Sequence, residues 1–118
     1  MYNLIFMLTF ILMMINPSDN NEITGVWKTG RNNTRIEIYR KNNAMYGKIL
    51  SSDNPQAPIG KDVLENLTRD GENWKGTMYS WKRNKKVDVI LESNSNLLEI
   101  RINMGLFPVK FEWKREKP

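Results

Sequence analysis

Apolar and polar residues alternate with a period of two along most of the chain beyond residue 22. Around Ile36 and Ile38, for example, the intervening Glu37 and the preceding Arg35 are charged. Such alternation is typical of β-strands with one buried face. Seven segments show it, at residues 23–28, 34–40, 44–50, 74–79, 87–92, 98–102 and 109–114.

Short polar sequences separate most of these segments and predict tight hairpin turns. They are rich in Asn and Gly, which tolerate a positive φ. These turn sequences lie at residues 31–33, 41–43, 70–71, 83–84 and 94–96. The exception is the stretch 51–69, where Pro55, Pro58 and Gly60 argue against a regular strand. Within it, residues 62–67 are predicted to form either one helical turn or a short irregular strand.

The spacing of these segments predicts an all-β fold, an antiparallel meander of seven to eight strands in a single domain of residues 22–118. A sheet of this length buries one face and hides its edges by closing into a barrel or by folding into a sandwich. The predicted inward-facing residues are Ile23, Trp27, Ile36, Ile38, Met45, Ile49, Trp74, Met78, Val87, Val89, Leu91, Leu98, Ile100, Ile102, Val109, Phe111 and Trp113.

The first 21 residues have the pattern of a signal peptide. The segment from Leu4 to Ile15 is apolar except for Thr9. As a helix it spans roughly 18 Å, whereas a bilayer core is about 30 Å thick. Residues 1–21 are therefore expected to be a cleaved export signal or an uncleaved N-terminal anchor. The protein is expected to be periplasmic or extracellular, and membrane contact is expected only through this segment if it is retained.

The composition excludes several chemistries. The 118 residues contain no Cys and no His, which removes disulfides, thiolate nucleophiles and His- or Cys-based catalytic pairs. No inward carboxylate pair follows from the alternation, so we expect no enzyme activity and no cofactor or metal. The formal net charge of +5 suits an anionic partner or simply keeps an exported protein soluble. Export makes nucleic acid an unsuitable partner.

Six motifs, taken in order, resemble one family of exported bacterial proteins. They occupy residues 25–27, 35–49, 58–67, 74–76, 98–101 and 111–115. The chain is similar to the small proteins called domain of unknown function 2147, which are lipocalin/calycin-like. Lys75 and Ser80-Trp81 depart from the family pattern, in which a glycine and an Asp-Pro turn are usual. The resemblance implies a lipocalin-like β-barrel and an exported location, but it implies no activity.

The same resemblance implies a structural signature at one end of the barrel. Lipocalin-like barrels carry Gly-x-Trp on their first strand, and a basic residue of the last strand often stacks on that Trp. Gly25 and Trp27 match the first part, and Arg115 or Lys114 matches the second. A cation–π contact of this kind contributes about 0.5–2 kcal/mol.

Two binding functions are predicted, and a carboxylate- or Lys-based hydrolase is a third, weaker class. The first is non-catalytic binding of a small apolar or amphipathic ligand inside the barrel, unless large side chains fill the interior. Aromatic walls with a few polar groups are usual in such pockets. The residues predicted to bind this ligand are Tyr46, Trp74, Met78, Trp81 and Arg101.

The second function is an envelope-associated interaction module that contacts an anionic component. It combines an apolar loop tip, formed by Met104, Leu106 and Phe107, with a basic hairpin. The basic residues are Lys82, Arg83, Lys85 and Lys86. The tip is expected either to project into solvent or to fold over the barrel mouth as a lid. In both cases the protein is predicted to be a monomer.

Overall fold

The described part of the chain forms one closed β-barrel. The computed structural model describes residues 23–81 and 83–117, so the predictions for the leader and for Lys82 lie outside the described residues. Each strand pairs antiparallel with the next, and the last pairs with the first. The strands are β1 Gly25–Lys28, β2 Arg35–Lys41, β3 Ala44–Ser51, β4 Asp62–Asp70, β5 Asn73–Ser80, β6 Lys85–Asn94, β7 Leu97–Met104 and β8 Phe107–Arg115. The predicted all-β antiparallel meander is confirmed.

The hairpin turns use residues with a positive φ, as the sequence predicts. Asn32, Asn42 and Asn84 have φ angles of 51°, 59° and 54°. Ser95 and Gly71 supply the same left-handed conformation, with φ of 60° and 67°. Asn and Gly adopt this region at low cost, so the turn sequences place the strands in register.

Strand β4 is the element that alternation did not reveal. It runs through the stretch for which the sequence left open a helical turn or an irregular strand, and the helical alternative is wrong. Val63, Leu64 and Leu67 are all buried, a spacing that breaks the period of two. The cause is a bulge, because Asn66 has a φ of 52° and the pairing with β5 shifts between Glu65 and Thr68.

The core lies inside the barrel and consists mainly of the predicted inward-facing residues. Three of them, Met78, Val87 and Phe111, are only partly buried. Val109 is 39% exposed, so its prediction as a core residue is wrong. The buried core residues are Ile23, Trp27, Ile36, Ile38, Met45, Ile49, Ala57, Val63, Leu64, Leu67, Trp74, Val89, Leu91, Leu98, Ile100, Ile102 and Trp113.

The meander gives the barrel two ends of different construction. Alternate connections between antiparallel strands lie at the same end. Three longer connections, at residues 29–34, 52–61 and 81–84, and the two-residue connection 105–106 form what we call the loop end. The other three connections, each of two residues, at 42–43, 71–72 and 95–96, form the turn end.

Candidate functional site

The seam between β1 and β8 is closed by a packed tryptophan. Trp27 is fully buried, and its indole Nε1 donates a hydrogen bond to the Ile23 carbonyl at 3.0 Å. The Arg115 guanidinium lies 4.3 Å from the centre of the Trp27 ring and donates to the Thr24 carbonyl at 2.8 Å. Gly25 gives this guanidinium room, because a Cβ at residue 25 would lie 2.8 Å from Arg115 Nη1. The contact implied by the family resemblance is present between Trp27 and Arg115.

An ion pair reinforces the seam where the barrel closes. Strands β1 and β8 share only two residue pairs, Trp27 with Arg115 and Lys28 with Lys114. Beyond them, Glu116 accepts two hydrogen bonds from Arg35 of β2, from Nε at 2.7 Å and from Nη2 at 2.9 Å. These hydrogen bonds, together with the positive charge of Arg35, lower the pKa of Glu116. The pair therefore ties the chain end across β1 to β2.

At the loop end, one side of the barrel is covered. The connection 52–61 folds against the ends of β3 and β4 and buries Ala57. Backbone hydrogen bonds hold it there, from Gly60 N–H to the Ile49 carbonyl at 2.7 Å and from Ile49 N–H to the Lys61 carbonyl at 3.2 Å. Beneath it, Ile49 and Val63 are 0% and 2% exposed. This side of the interior is packed.

The other side of the loop end is open, and we call it the mouth. It consists of Met78, Trp81, Val87, Val109 and Phe111, which lie on β5, β6 and β8 and in the connection after β5. Four of these side chains pack against the core but are only partly buried. Val109 lies opposite Ile102 in the ladder yet remains 39% exposed. The mouth is therefore an apolar surface that the described residues leave accessible.

The mouth is open because two ladders stop early. The β6–β7 ladder ends at the pair Val89 and Ile102, although β7 continues to Met104. On the other edge, β8 pairs with β1 only at Lys114 and Arg115. Among the described residues, the segment 103–109 therefore pairs only within its own β7–β8 hairpin. We call this segment the free hairpin.

Two buried indole N–H groups have no acceptor among the described residues. They belong to Trp74 and Trp81. Leaving a buried donor unpaired costs about 1–3 kcal/mol. Trp81 lies at the mouth, so an acceptor from water or from a ligand can reach it more readily than it can reach Trp74, which is 5% exposed.

The predicted ligand-binding residues do not come together. Met78 and Trp81 belong to the mouth, whereas Trp74 lies near the start of β5 at the turn end, about 13 Å from Met78 along the strand. The ring of Trp74 is covered there by the Arg69 guanidinium at 5.2 Å. Tyr46 occupies an outward-facing position of β3, since its neighbours along the strand are buried. Tyr46 therefore does not line the interior.

Tyr46 instead belongs to a polar cluster on the outer face. Its hydroxyl donates to Asn66 Oδ1 at 2.7 Å, and Lys41 Nζ lies 4.3 Å from its ring centre. The neighbouring Tyr39 donates to Asp62 at 2.5 Å, and this hydrogen bond is the main reason why the pKa of Tyr39 is raised to about 12. The hydroxyl groups of both tyrosines therefore already have hydrogen-bond partners within the cluster.

Arg101 also lies outside the barrel. On β7 the buried positions are those of Leu98, Ile100 and Ile102, and Arg101 alternates with them. Its guanidinium lies 3.3 Å from Glu92 and 3.9 Å from Glu99, both on the outer face. The prediction that Arg101 reaches an internal ligand therefore does not agree with its position.

The predicted basic hairpin splits between two faces. Lys85 lies opposite Ser80 in the ladder, two residues from Val87 and on the same face, so it is placed at the rim of the mouth. Lys86 points outwards and contacts Glu65 at 2.8 Å, a hydrogen bond that raises the pKa of Lys86. Arg83 is exposed in the turn between the strands.

The apolar tip projects into solvent. Leu106 is 88% exposed and Phe107 is 75% exposed. Of the two arrangements expected for this tip, the structure therefore shows the projecting one rather than the lid. Met104 ends β7 at the base of the turn.

Sequence reasoning missed part of the mouth. Val87, Val109 and Phe111 were predicted as core, not as ligand contacts. The available signal was their place along the strands, because Val87 and Val109 lie near the loop end of β6 and β8, and Phe111 is at the middle of β8. Burial of the inward-facing residues of β8 increases with distance from the loop end, from Val109 through Phe111 to Trp113.

Other candidate sites carry less chemistry. A half-open cleft of about 500 Å³ lies beside the β1–β2 connection and includes Lys28 and Arg35, but none of the predicted ligand residues lines it. Arg35 is already paired with Glu116 there. In residues 23–81 and 83–117, no group of three His, Cys, Asp or Glu residues could hold a metal ion. Across the same described ranges, no helix has the length and apolar character needed to cross a membrane.

Comparison with known proteins supports the architecture. No protein-family model matches the chain, and no curated protein sequence matches it. The solved structure of protein HP1028 from the human pathogen Helicobacter pylori, described as belonging to the lipocalin family, is similar with a TM-score of 0.68. The similarity covers 81% of this chain and 84% of that chain at 21% sequence identity. The chain therefore has a lipocalin-like fold, a closed antiparallel β-barrel of eight strands.

Proposed function

We propose that the protein binds a small amphipathic molecule at the mouth, without catalysing a reaction on it. The apolar body of the ligand contacts Met78, Val87 and Phe111, which are held in an inward orientation but not covered. Burying such a surface is favourable by about 25 cal/mol per Å². Because the turn end and one side of the loop end are packed, the mouth is the part of the barrel interior that the described residues leave accessible.

The unpaired indole N–H of Trp81 is the observation that carries this proposal. Nε1 of Trp81 is buried and finds no acceptor among the described residues. A ligand oxygen at the mouth would accept this hydrogen bond and remove the cost of the unpaired donor. The ligand therefore combines an apolar body with a hydrogen-bond acceptor.

The rim favours a negative charge on the polar end of the ligand. Lys85 is exposed on the mouth side of β6, and no carboxylate of a described residue lies within salt-bridge distance of it. The neighbouring turn adds Arg83. A carboxylate or sulfonate head placed beside Lys85 would be attracted, and the attraction would weaken with added salt.

Titration with an amphipathic anion tests the proposal. The probe is 1-anilinonaphthalene-8-sulfonate, which has an apolar body, acceptor oxygens and a negative charge, and its fluorescence is followed as protein is added. We expect Trp81→Phe to weaken binding about threefold to tenfold, because the ring is largely kept while the donor is lost. Lys85→Gln should weaken binding about twofold to fivefold, and this difference should shrink at high salt.

Tyr46→Phe is the matched control, since it also removes one polar group from an aromatic side chain but does so on the outer face. It should leave probe binding unchanged. Equal affinity of Trp81→Phe and the wild type, or an equal loss in Tyr46→Phe, would contradict binding at the mouth.

The setting of this function is also part of the proposal. We infer that the chain is an exported, monomeric member of the domain of unknown function 2147 proteins, periplasmic or extracellular. The apolar segment near the N-terminus and the six ordered motifs support this inference. Fractionation of a bacterial host expressing the full chain, with mass determination of the mature product, tests the export and the cleavage.

A second function is favoured by the tip of the free hairpin. Leu106 and Phe107 are the two most exposed large apolar side chains of the described residues, at 88% and 75%. Surfaces of this kind often contact a partner. We therefore also propose an envelope-associated interaction surface at the loop end, formed by the tip and by the basic residues around it.

A further inference from the structure

The connections at the two ends of the barrel differ in charge. At the loop end, the described residues of the connections include the basic residues Arg31, Lys61 and Arg83 and one acidic residue, Asp53. The connections at the turn end contain no basic residue and one acidic residue, Glu72. The positive charge of the connections is therefore concentrated at the end that carries the mouth, and this end attracts an anionic surface.

Exposed apolar side chains follow the same polarity. Leu106 and Phe107 project from the tip of the free hairpin, and Ile59, in the connection 52–61, is 52% exposed. Ile59 and Leu106 lie in connections at the loop end, and Phe107 is the first residue after such a connection. Among the described residues, the remaining exposed large apolar side chains are those of Val109, at the mouth, and Ile90, on the outer face of β6.

The free hairpin is built to reach away from the barrel. Because neither β6 nor β1 pairs with residues 103–109, this hairpin extends past the ladders on both of its edges. Gly105 has a φ of 86° and nothing lies within 4 Å of the position of a Cβ there, so there is open space beside the turn at this residue. The tip can therefore enter an apolar environment outside the protein without disturbing the core.

We propose that the loop end docks on an anionic lipid bilayer, with Leu106 and Phe107 inserted at the headgroup level. The proposal rests on the interaction surface proposed above and names its partner. Apolar side chains that penetrate the interface, surrounded by basic residues that face lipid phosphates, are the two components of peripheral membrane binding. A soluble polyanion would use the basic residues but would gain nothing from the two apolar side chains. Docking in this orientation turns the mouth toward a source of amphipathic molecules.

Site-specific labelling tests the orientation directly. The chain contains no Cys, so a single introduced Cys carries the only label. Leu106→Cys in the full chain is labelled with an environment-sensitive nitrobenzoxadiazole dye and mixed with phosphatidylglycerol–phosphatidylcholine vesicles. Asn43→Cys, in an exposed turn at the opposite end, is the matched control. The N-terminal segment is present in both proteins, so the difference between the two labels does not depend on it.

The expected result is a blue shift and brightening at residue 106, with no change at residue 43 and little change on phosphatidylcholine alone. Combining Leu106→Ser with Phe107→Ser should lower partitioning onto the anionic vesicles about tenfold or more. Arg83→Gln with Lys85→Gln should lower it about tenfold on anionic vesicles only. For these unlabelled variants, partitioning is measured by sedimentation with the vesicles.

Three outcomes would overturn the proposal: no shift at residue 106, an equal shift at residue 43, or partitioning that is insensitive to the two serines. If dextran sulfate binds the protein as tightly as the vesicles do, and binding ignores the serines, the partner is a polyanion. The naphthalene sulfonate titration is carried out without vesicles, so failure of the docking leaves the ligand proposal standing. Loss of probe binding in Trp81→Phe likewise leaves the docking to be decided by the label.

Discussion

Trp27 and Trp81 show how differently the seam and the mouth of this barrel are built. Trp27 is fully buried, its N–H has a carbonyl acceptor, and its ring is covered by the Arg115 guanidinium. Trp81 is only partly buried, and its N–H is shielded from solvent without an acceptor among the described residues. A buried tryptophan whose N–H is hydrogen-bonded stabilises a fold, whereas one with an unpaired N–H at an opening favours binding of a ligand that accepts this hydrogen bond.

Residues that stabilise the fold therefore lie at the seam, whereas the residues that we propose to bind a ligand lie at the mouth. The seam of the barrel is held by a cation–π contact and by the ion pair of Arg35 and Glu116. The loop end leaves the free hairpin without lateral pairing and the mouth without a cover. A binding surface that must open and close is drawn from the less stable part of a structure.

The largest expected effect comes from removing the buried tryptophan. Trp27→Ala should lower the free energy of unfolding by about 3–5 kcal/mol, because it leaves a cavity in a fully packed region and removes the contact with Arg115. Trp81→Ala, the matched change at the loop end, should cost about 2 kcal/mol or less, since Trp81 is only partly buried. Urea unfolding followed by circular dichroism measures both, and equal losses would contradict the comparison.

Two glycines with a positive φ sharpen the same contrast. Gly25 has a φ of 131°, and an added Cβ would lie 2.8 Å from Arg115 Nη1. Gly25→Ala should therefore cost about 1–3 kcal/mol, from backbone strain and from displacement of the guanidinium off Trp27. Gly105→Ala, where the Cβ meets open space, should cost about 1 kcal/mol. Thermal unfolding of the two variants ranks them, and the reverse order would show that the seam is not where stability is concentrated.

The ion pair at the seam predicts a pH dependence. Hydrogen bonds from Arg35 lower the pKa of Glu116 below its ordinary value of about 4.5, so the native state binds this proton more weakly than the unfolded chain does. The stabilisation from this pair is therefore fully present above about pH 4.5 and is lost as the pH falls through the lower native pKa. The melting temperature of the wild type should exceed that of Glu116→Gln near neutral pH, and the gap should close in acid. A difference in melting temperature that stays constant across this pH range would show that the ion pair does not contribute to stability.

The smallest effect is expected at the tip. Leu106→Ser should change the free energy of unfolding by no more than about 0.5 kcal/mol, because the side chain is 88% exposed and contributes little to the core. The same urea unfolding measurement applies. A loss above about 1 kcal/mol would mean that the hairpin packs against the barrel in solution, contrary to the projecting tip.

Much of the fold could be predicted from the sequence, because alternation and turn chemistry are local properties. Asn32, Asn42 and Asn84 mark turns by their tolerance of positive φ, and the strands between the turns alternate. Strand β4 could not be predicted with the same rule, since the bulge at Asn66 changes the spacing of its buried residues. Pro55 and Pro58, which lie before it, further concealed where the strand begins.

The candidate site was less predictable, because alternation indicates on which face of the sheet a residue lies but not whether other residues bury it. Val109 faces inwards as predicted, but it is exposed because β1 does not pair with that part of β8. Tyr46 and Arg101 were chosen for their chemistry although alternation places them outside, and both lie on the outer face. The unpaired N–H of Trp81 depends on long-range packing, which no local pattern contains.

Residue-resolved amide hydrogen exchange, with and without the naphthalene sulfonate probe, tests the contrast between the two ends most directly. The account predicts slow exchange at Trp27, Leu98 and Trp113 in both conditions. It predicts fast exchange in the free hairpin and around Trp81 in the free protein, and slower exchange around Trp81 when the probe is bound. Uniform protection along β7 and β8, or protection by the probe at the turn end instead of the mouth, would contradict it.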